Sequence, residues 1–406
     1  MPLPIQPHPL AFRLAAAGLA CIALLAGCRS PEAVAPTTAA SSPAAEPTLT
    51  PDKTTVPFDE PLQIGVTNGT LISAQVTRSD TSARLPGEVK GDTWTSAELP
   101  RPGADYSATV SVKDSQGHTR KLTQRWTAED IPKSDRLTLT ISPSSGDVVG
   151  VGQPIVVRFD QSVKDRFAFE KQAVVTASVP LYGTWHWVNS REVHFRPEQY
   201  WPAHTAVDVA LSLNGTKVGP TRWGARDYHV HFNVGDARIT TVDAAAHTFT
   251  VTVNGVQTAV WPTSLGRPEF ATRNGTYVVL EKKPSVQMTS CDVHIQCTLN
   301  APNWYDLTVN WDVRLTWSGT FVHSAPWSQS KQGQENVSHG CVNLSEDNGH
   351  AFFDASVPGD VVTVVNSSRG PEDLVQSGDP GMADWNTPWP QYVAGSAIGV
   401  PVSVGT

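Results

Sequence analysis

Between about residues 50 and 235 the chain is written in short runs whose apolar and polar residues alternate, among them "LISAQVT", "DYSATVSVKD", "QPIVVRF", "REVHFRP" and "TAVDVALSL". Gly, Pro, Asn or Asp interrupts each run within about ten residues. A period of two sends successive side chains to opposite faces of a strand, so each run can bury one face and wet the other. This spacing predicts two β-sandwiches of immunoglobulin size, over 51–131 and 135–235, most simply read as spacers.

A third β-rich block is expected over 236–366. In "AHTFTVTVNGVQTAVWP", Asn254-Gly255 supplies the two positive-φ residues of a type I′ hairpin turn. Further strands are read in "GTYVVLE", "YDLTVNWDVRLTW", "TFVHSAP" and "DVVTVVN". A helix is predicted at about 345–356, capped by Ser345, with Glu346 and Asp347 in its first turn and Pro358-Gly359 stopping it. The segment 367–406 is Gly/Pro-rich and then offers Trp385, Trp389 and Tyr392, expected to pack back on the third block rather than bind a ligand.

The N-terminus reads as targeting. After Arg13 comes "LAAAGLACIALL", short for a membrane span, and it ends in "LAGC" at Leu25 to Cys28. That ending resembles the bacterial lipobox, which implies a signal over 1–28, a lipid on Cys28 and a mature protein anchored outside the cytoplasmic membrane, facing the cell wall. Residues 29–50, rich in Ala, Pro, Ser and Thr, read as a disordered tether. Charged residues make up 17% of the chain, the net charge is -8, and no basic run is available to track phosphates, which argues against nucleic acid as a partner.

Of five cysteines, Cys21 leaves with the signal and Cys28 takes lipid. Cys291 and Cys297, six apart in "TSCDVHIQCTLN", favour a local disulfide over two free thiols in an oxidising compartment. Cys341 is left unpaired, and an exposed thiol kept there invites damage unless its reactivity is used. A thiol with the reference pKa of about 8.5 is only about 3% ionised at neutral pH, so a nucleophile needs a base or a positive setting. His323, His339 and His350 are near in sequence, and Gly340 would let backbone N–H groups turn toward the sulfur as an oxyanion site requires.

These residues carry a resemblance. "HSAPW" at His323 to Trp327, then "SHGCVN" at Ser338 to Asn343 after fourteen residues that follow His323, is similar to the signature of the YkuD-type L,D-transpeptidases. With two immunoglobulin-like domains and a lipobox, the chain resembles the mycobacterial lipoprotein type that forms 3→3 cross-links in peptidoglycan. The resemblance implies a mainly β fold: two immunoglobulin-like sandwiches, then a YkuD-type catalytic domain with one or two short helices, and a C-terminal packing segment.

It also implies roles. Cys341 would be the nucleophile, His323 the base and acid, and the Ser324 carbonyl the group that fixes the imidazole tautomer. Tyr305, Met288 and Trp327 would line the substrate cleft, with Ser338, His339, Gly340 and Asn343 shaping the loop around the thiol and the insert "SQSKQGQENV" forming part of a lid. Partners would be a donor stem tetrapeptide, a diaminopimelate acceptor and, as covalent inhibitors, β-lactams, carbapenems especially. The Cys291/Cys297 pair between Met288 and Tyr305 departs from the signature, and would stiffen the lid if oxidised.

No metal or other cofactor is called for: His-x-Cys lacks the usual zinc-ligand spacing. His186, His194, His229 and His231 alternate on strands of the second sandwich and read as a solvated or hydrogen-bonded face. "SQSK" at Ser328 to Lys331 matches a serine-transpeptidase motif only superficially, lacking its partner motifs and a following helical run. The alternatives are a non-catalytic cell-wall binding lipoprotein, an L,D-carboxypeptidase in which water resolves the thioester, and a sortase-like acyltransferase.

Overall fold

The computed structural model describes residues 45–370 and 379–405; the signal segment with Cys28, most of the tether and residues 371–378 lie outside the described residues. Strands dominate. The alternating run Asp105–Asp114 buries every second residue. It lies between Thr119–Ala128 and Gly69–Arg78 in a five-stranded sheet, facing a four-stranded sheet built on Gln63–Thr67 and Thr93–Ser96. Ile64, Trp94, Val110 and Trp126 fill the space between them. A second sandwich follows, in which Phe159, Phe169, Trp185, Phe195 and Phe232 form the core between Ile155–Phe159, Glu192–Pro197 and Leu181–Asn189 on one side and Tyr228–Val234, Ala206–Leu211 and Ala173–Ala177 on the other.

The third block is built on two sheets. In one, Val361–Val365 runs parallel to Arg238–Asp243 and antiparallel to Gly275–Val278. Thr248–Val253 and Val256–Pro262 make the Asn254-Gly255 hairpin, with φ of 49° and 80° at the turn. In the other, the order is Glu281–Thr289, Asp306–Arg314, Phe321–Ser324 and Val342–Leu344, the last two parallel. Helix Glu346–Ala355 packs on that second sheet and starts at Ser345, whose Oγ accepts from the Asn348 N–H. Val313, Val322, Val342, Leu344 and Phe352 seal this side. The second sandwich reaches the third block through Gly150 and Gly152, which donate to the Pro358 and Gly359 carbonyls. A Cβ on Gly150 would fall 2.1 Å from the Asp360 nitrogen, so only glycine permits this approach.

The C-terminal aromatic residues are placed differently from the expectation. Met382 does enter the core of the third block, but Trp385, Trp389 and Tyr392 cover the second sandwich, and Val402–Val404 adds a strand to its edge at Leu181–Gly183. The Arg196 guanidinium lies over all three rings, at 4.5, 4.9 and 4.3 Å from their centres. The cause is charge buried on that face. His194, fully buried, bonds Asp384 through Nδ1 at 3.0 Å and Glu192 through Nε2 at 2.8 Å. The tail also gives Glu170 three donors, Ser396 Oγ and the Ala397 and Ile398 N–H groups. Of the four strand histidines, His229 and His231 remain exposed beside Asp208, while His186 stacks on Tyr392 at 4.4 Å and His194 anchors the tail.

Burial opposes a charge on His194, but the Asp384 and Glu192 carboxylates outweigh it and raise the ring to about 9; for Asp384 burial likewise loses to His194, which helps hold the carboxyl down to about 2. His194 therefore stabilises the fold fully below its ordinary 6.5 and ceases to as pH rises through about 9, whereas Asp384 contributes above its ordinary 3.8 and loses that contribution as pH falls through about 2. His194→Ala strands two buried carboxylates, and urea unfolding at pH 7 is expected to show a loss of about 3–5 kcal/mol. A loss under about 1 kcal/mol would mean that the tail is held by its aromatic contacts instead.

Candidate active site

A cavity of about 210 Å³ opens on the face of the second sheet of the third block away from its helix, lined by Met288, Tyr305, Leu307, Val309, His323, Trp327, Ser328, Val337, Ser338, His339, Cys341 and Asn343. Eight of the ten residues expected from the sequence line it directly; Ser324 and Gly340 adjoin it through the backbone. The two parts of the signature meet because Phe321–Ser324 and Val342–Leu344 are parallel neighbours, pairing Val322 with Val342 and His323 with Asn343. Alternation then turns Val322, Val342 and Leu344 into the core, and His323, Cys341 and Asn343 into the cavity.

His323 Nδ1 donates to the Ser324 carbonyl at 2.7 Å. A carbonyl can only accept, so the neutral ring carries its proton on Nδ1 and leaves Nε2 a free base. Burial pushes the ring below its ordinary value, and the Ser324 carbonyl opposes that only in part. Among the described residues Cys341 is the free thiol, partly exposed. Burial pushes it up to about 11; the Phe321 N–H pulls the other way, and the Asp312 carboxylate adds to the rise. Its Sγ sits 3.6 Å from the Gly319 carbonyl. Burial thus disfavours the charged form of both the thiol and the imidazole.

The loop before Cys341 is tied down by its own side chains. Ser338 Oγ accepts the Gly340 N–H at 3.0 Å and donates to the Cys341 carbonyl at 2.7 Å. The Gly340 N–H is therefore taken up within the loop. What Gly340 supplies is a φ of 123° that a side chain would strain, and a carbonyl held by Thr272 Oγ1 at 2.9 Å. His339 Nε2 accepts from Arg267 at 2.9 Å and the ring lies between Phe270 and Tyr305, with burial and the Arg267 charge both disfavouring its protonation. Asn343 Nδ2 donates to Ser328 Oγ at 3.1 Å.

His350, though near in sequence, is on the opposite side of the sheet, stacked on Trp311 at 3.8 Å. The insert after Trp327 is less of a lid than expected. Pro326–Lys331 forms a 3-10 turn, Ser328 and Gln332 are buried beneath it, and Lys331 pairs with Glu335, so "SQSK" is framework. Trp327 is an exposed aromatic residue of this segment, its ring 6.1 Å from that of His323. Across the cavity a disulfide joins Cys291 to Cys297 in the loop between the strands that carry Met288 and Leu307. Burial first, then the charge that Cys341 carries once ionised and that of Asp292, raise Tyr305 to about 12, which keeps its hydroxyl protonated. Sequence reasoning missed Arg267 and Thr272, which lie far up the chain with no local signal, and the apolar Leu307, Val309 and Val337, which read as ordinary strand residues.

Chemically, the arrangement offers a thiol and an oriented base at the end of a half-apolar cleft, suited to acyl transfer through a covalent intermediate. Residues 237–364 match the L,D-transpeptidase catalytic domain family (YkuD), and residues 53–217 match a bacterial Ig domain. L,D-transpeptidase 2 of Mycobacterium tuberculosis (strain CDC 1551 / Oshkosh) is 36% identical over 84% of this chain and 82% of its own length. L,D-transpeptidase 1 of M. tuberculosis (strain ATCC 25618 / H37Rv) is 41% identical over 56% and 84%. A solved L,D-transpeptidase structure in complex with imipenem is 40% identical, covers 57% of this chain and 99% of that one, and superposes with a TM-score of 0.49. A cavity lined by both halves of the signature, on a chain alike over most of its length to such relatives, belongs to the L,D-transpeptidase family of cysteine-dependent enzymes that cross-link peptidoglycan.

Proposed function

We propose that the chain forms 3→3 peptidoglycan cross-links through a thioester on Cys341, with His323 as base and acid and the Ser324 carbonyl as its orienting partner. The observation that carries this reading is the Nδ1–H bond from His323 to that carbonyl, which frees Nε2 on the cavity side where Cys341 lies. Because the thiol is held high, at about 11, and the imidazole low, proton transfer accompanies attack rather than preceding it. Sγ adds to the carbonyl between the diaminopimelate and the terminal D-Ala of a donor stem as its proton passes to His323 Nε2. That proton then leaves with the D-Ala amine. The side-chain amine of a second diaminopimelate gives a proton to His323 and displaces the thioester, forming the new amide and restoring the thiol. Water in its place would release a tripeptide.

Met288, Tyr305 and Trp327 would flank the donor stem, with the disulfide loop limiting how far that wall can move. A lipid on Cys28 would hold the enzyme on the wall side of the membrane, within reach of its substrate. By the same acyl chemistry a β-lactam ring, a carbapenem above all, opens onto Cys341.

Incubation with a carbapenem should add the mass of one inhibitor to the peptide carrying Cys341, and Cys341→Ala should add none; an adduct retained in that variant would contradict the assignment. His323→Ala should slow adduct formation by about 10²–10⁴-fold. A variant reacting at the wild-type rate would remove His323 from the mechanism, and an intact chain that binds muropeptides yet never acylates would favour the cell-wall binding alternative.

A further inference from the structure

The strand Asp306–Arg314 breaks its alternation at one residue. Leu307 and Val309 line the cavity, so the pattern alone would send Trp311 there as well. Trp311 instead adopts φ of 57°, an uncommon conformation for a bulky residue, and faces the helix, where its Nε1 donates to Glu346 at 2.6 Å and its ring covers His350. Parity is thereby inverted: Val313 enters the core and Asp312 falls on the cavity face. The ladder pairs Arg314 with Phe321 and Val313 with Val322, so one further step faces Asp312 toward His323.

Asp312 is only 1% exposed; neither carboxyl oxygen has a close hydrogen-bond partner, and the Val286 N–H favours its charged form less than the Arg314 guanidinium does. Burying a carboxyl without partners is costly, and strain beside it adds to the cost. The mechanism above makes no use of it. Of the charged groups around it, Arg314 on its own strand bonds Glu281 at 2.8 Å and also favours the ionised Asp312 carboxyl, and Lys283, opposite it, pairs with Glu281 at 3.2 Å. Lys282 is bound to the Phe353 carbonyl, and on the helix Glu346 is held by Trp311 and His350 by Asp354. Also on that face are His323, next along the ladder on the neighbouring strand, and Cys341, just before the strand beyond, whose thiol the Asp312 charge raises.

We propose that Asp312 is a positioning residue of acyl transfer, its carboxylate stabilising through space the imidazolium that forms on His323 while the Cys341 proton is in transit. A negative charge one strand away, about 4.8 Å in backbone spacing, favours the imidazolium more than it disfavours a thiolate at twice that spacing. The neutral Ser324 carbonyl orients the ring but cannot supply that charge. No proton moves to Asp312 in this step: Sγ loses it and Nε2 gains it. Burial raises Asp312 to about 7, which puts its ionisation within the working range.

This inference rests on the Cys341–His323 reading, and its test separates the two. In the full chain, the pH profile of acylation by a chromogenic cephalosporin should rise with ionisation of the pair. Asp312→Asn should move that rising limb to lower pH by about one unit or more and lower the plateau about 10- to 100-fold. Asp312→Ala, which leaves no buried polar group, should do the same, and Asp312→Glu should restore part of both. A limb and plateau unchanged in Asp312→Asn would overturn the inference and leave the nucleophile assignment standing, which fails only if Cys341→Ala still reacts. Should the variants not fold, 15N-histidine labelling of the wild type decides. The His323 ring should report two inflections, its own and that of Asp312, and a single inflection would overturn the proposal.

Discussion

One hydrogen bond organises the site: His323 Nδ1–H to the carbonyl of the next residue, Ser324. It is made within a buried strand whose parallel neighbour brings Cys341 alongside, so the orientation of the base depends on no flexible side chain. The arrangement has a consequence for reactivity. A carbonyl fixes the tautomer but carries no charge, and burial pushes the thiol up, so a standing thiolate, the form most open to oxidation, is disfavoured. Reactivity then has to arise with a bound carbonyl, and the Asp312 carboxylate is a candidate for the missing charge.

The rest of the fold holds that geometry in place. Ser338 and Thr272 clamp the loop at Gly340, Asn343 rests on Ser328, and Arg267 pins His339 against Phe270 and Tyr305. Beyond the cavity, the C-terminal segment contributes Met382 to the catalytic core and then crosses to the second sandwich, where His194, Glu192 and Asp384 form a buried charge cluster. The second sandwich is therefore built into the catalytic unit, which goes further than the spacer role suggested by its alternating strands.

Much of this was legible because the signals are local. Asn254-Gly255 announces its hairpin, Ser345 its helix, and the alternation of "DYSATVSVKD" its buried face. The family motif named the cavity residues because it compresses a parallel strand pair into two short strings. What escaped depends on distant or backbone-encoded facts. The placement of Trp385, Trp389 and Tyr392 on the second sandwich is not legible because the ion pair that captures the tail joins residues 190 apart, and a buried histidine on an alternating strand looks the same as a solvated one. That Ser338 Oγ takes the Gly340 N–H has no signal in the sequence. Asp312 occupies what reads as an outward position, and only the left-handed turn at Trp311 brings it inside.

The central claim is that the donor stem passes through a covalent bond to one sulfur. Mass spectrometry of the intact chain, quenched during turnover with a stem tetrapeptide, tests it most directly. The account predicts a species heavier by the donor less D-Ala, labile to hydroxylamine and mapping to Cys341. Cross-linked product accumulating with no such species, or formed at an undiminished rate by Cys341→Ala, would contradict it.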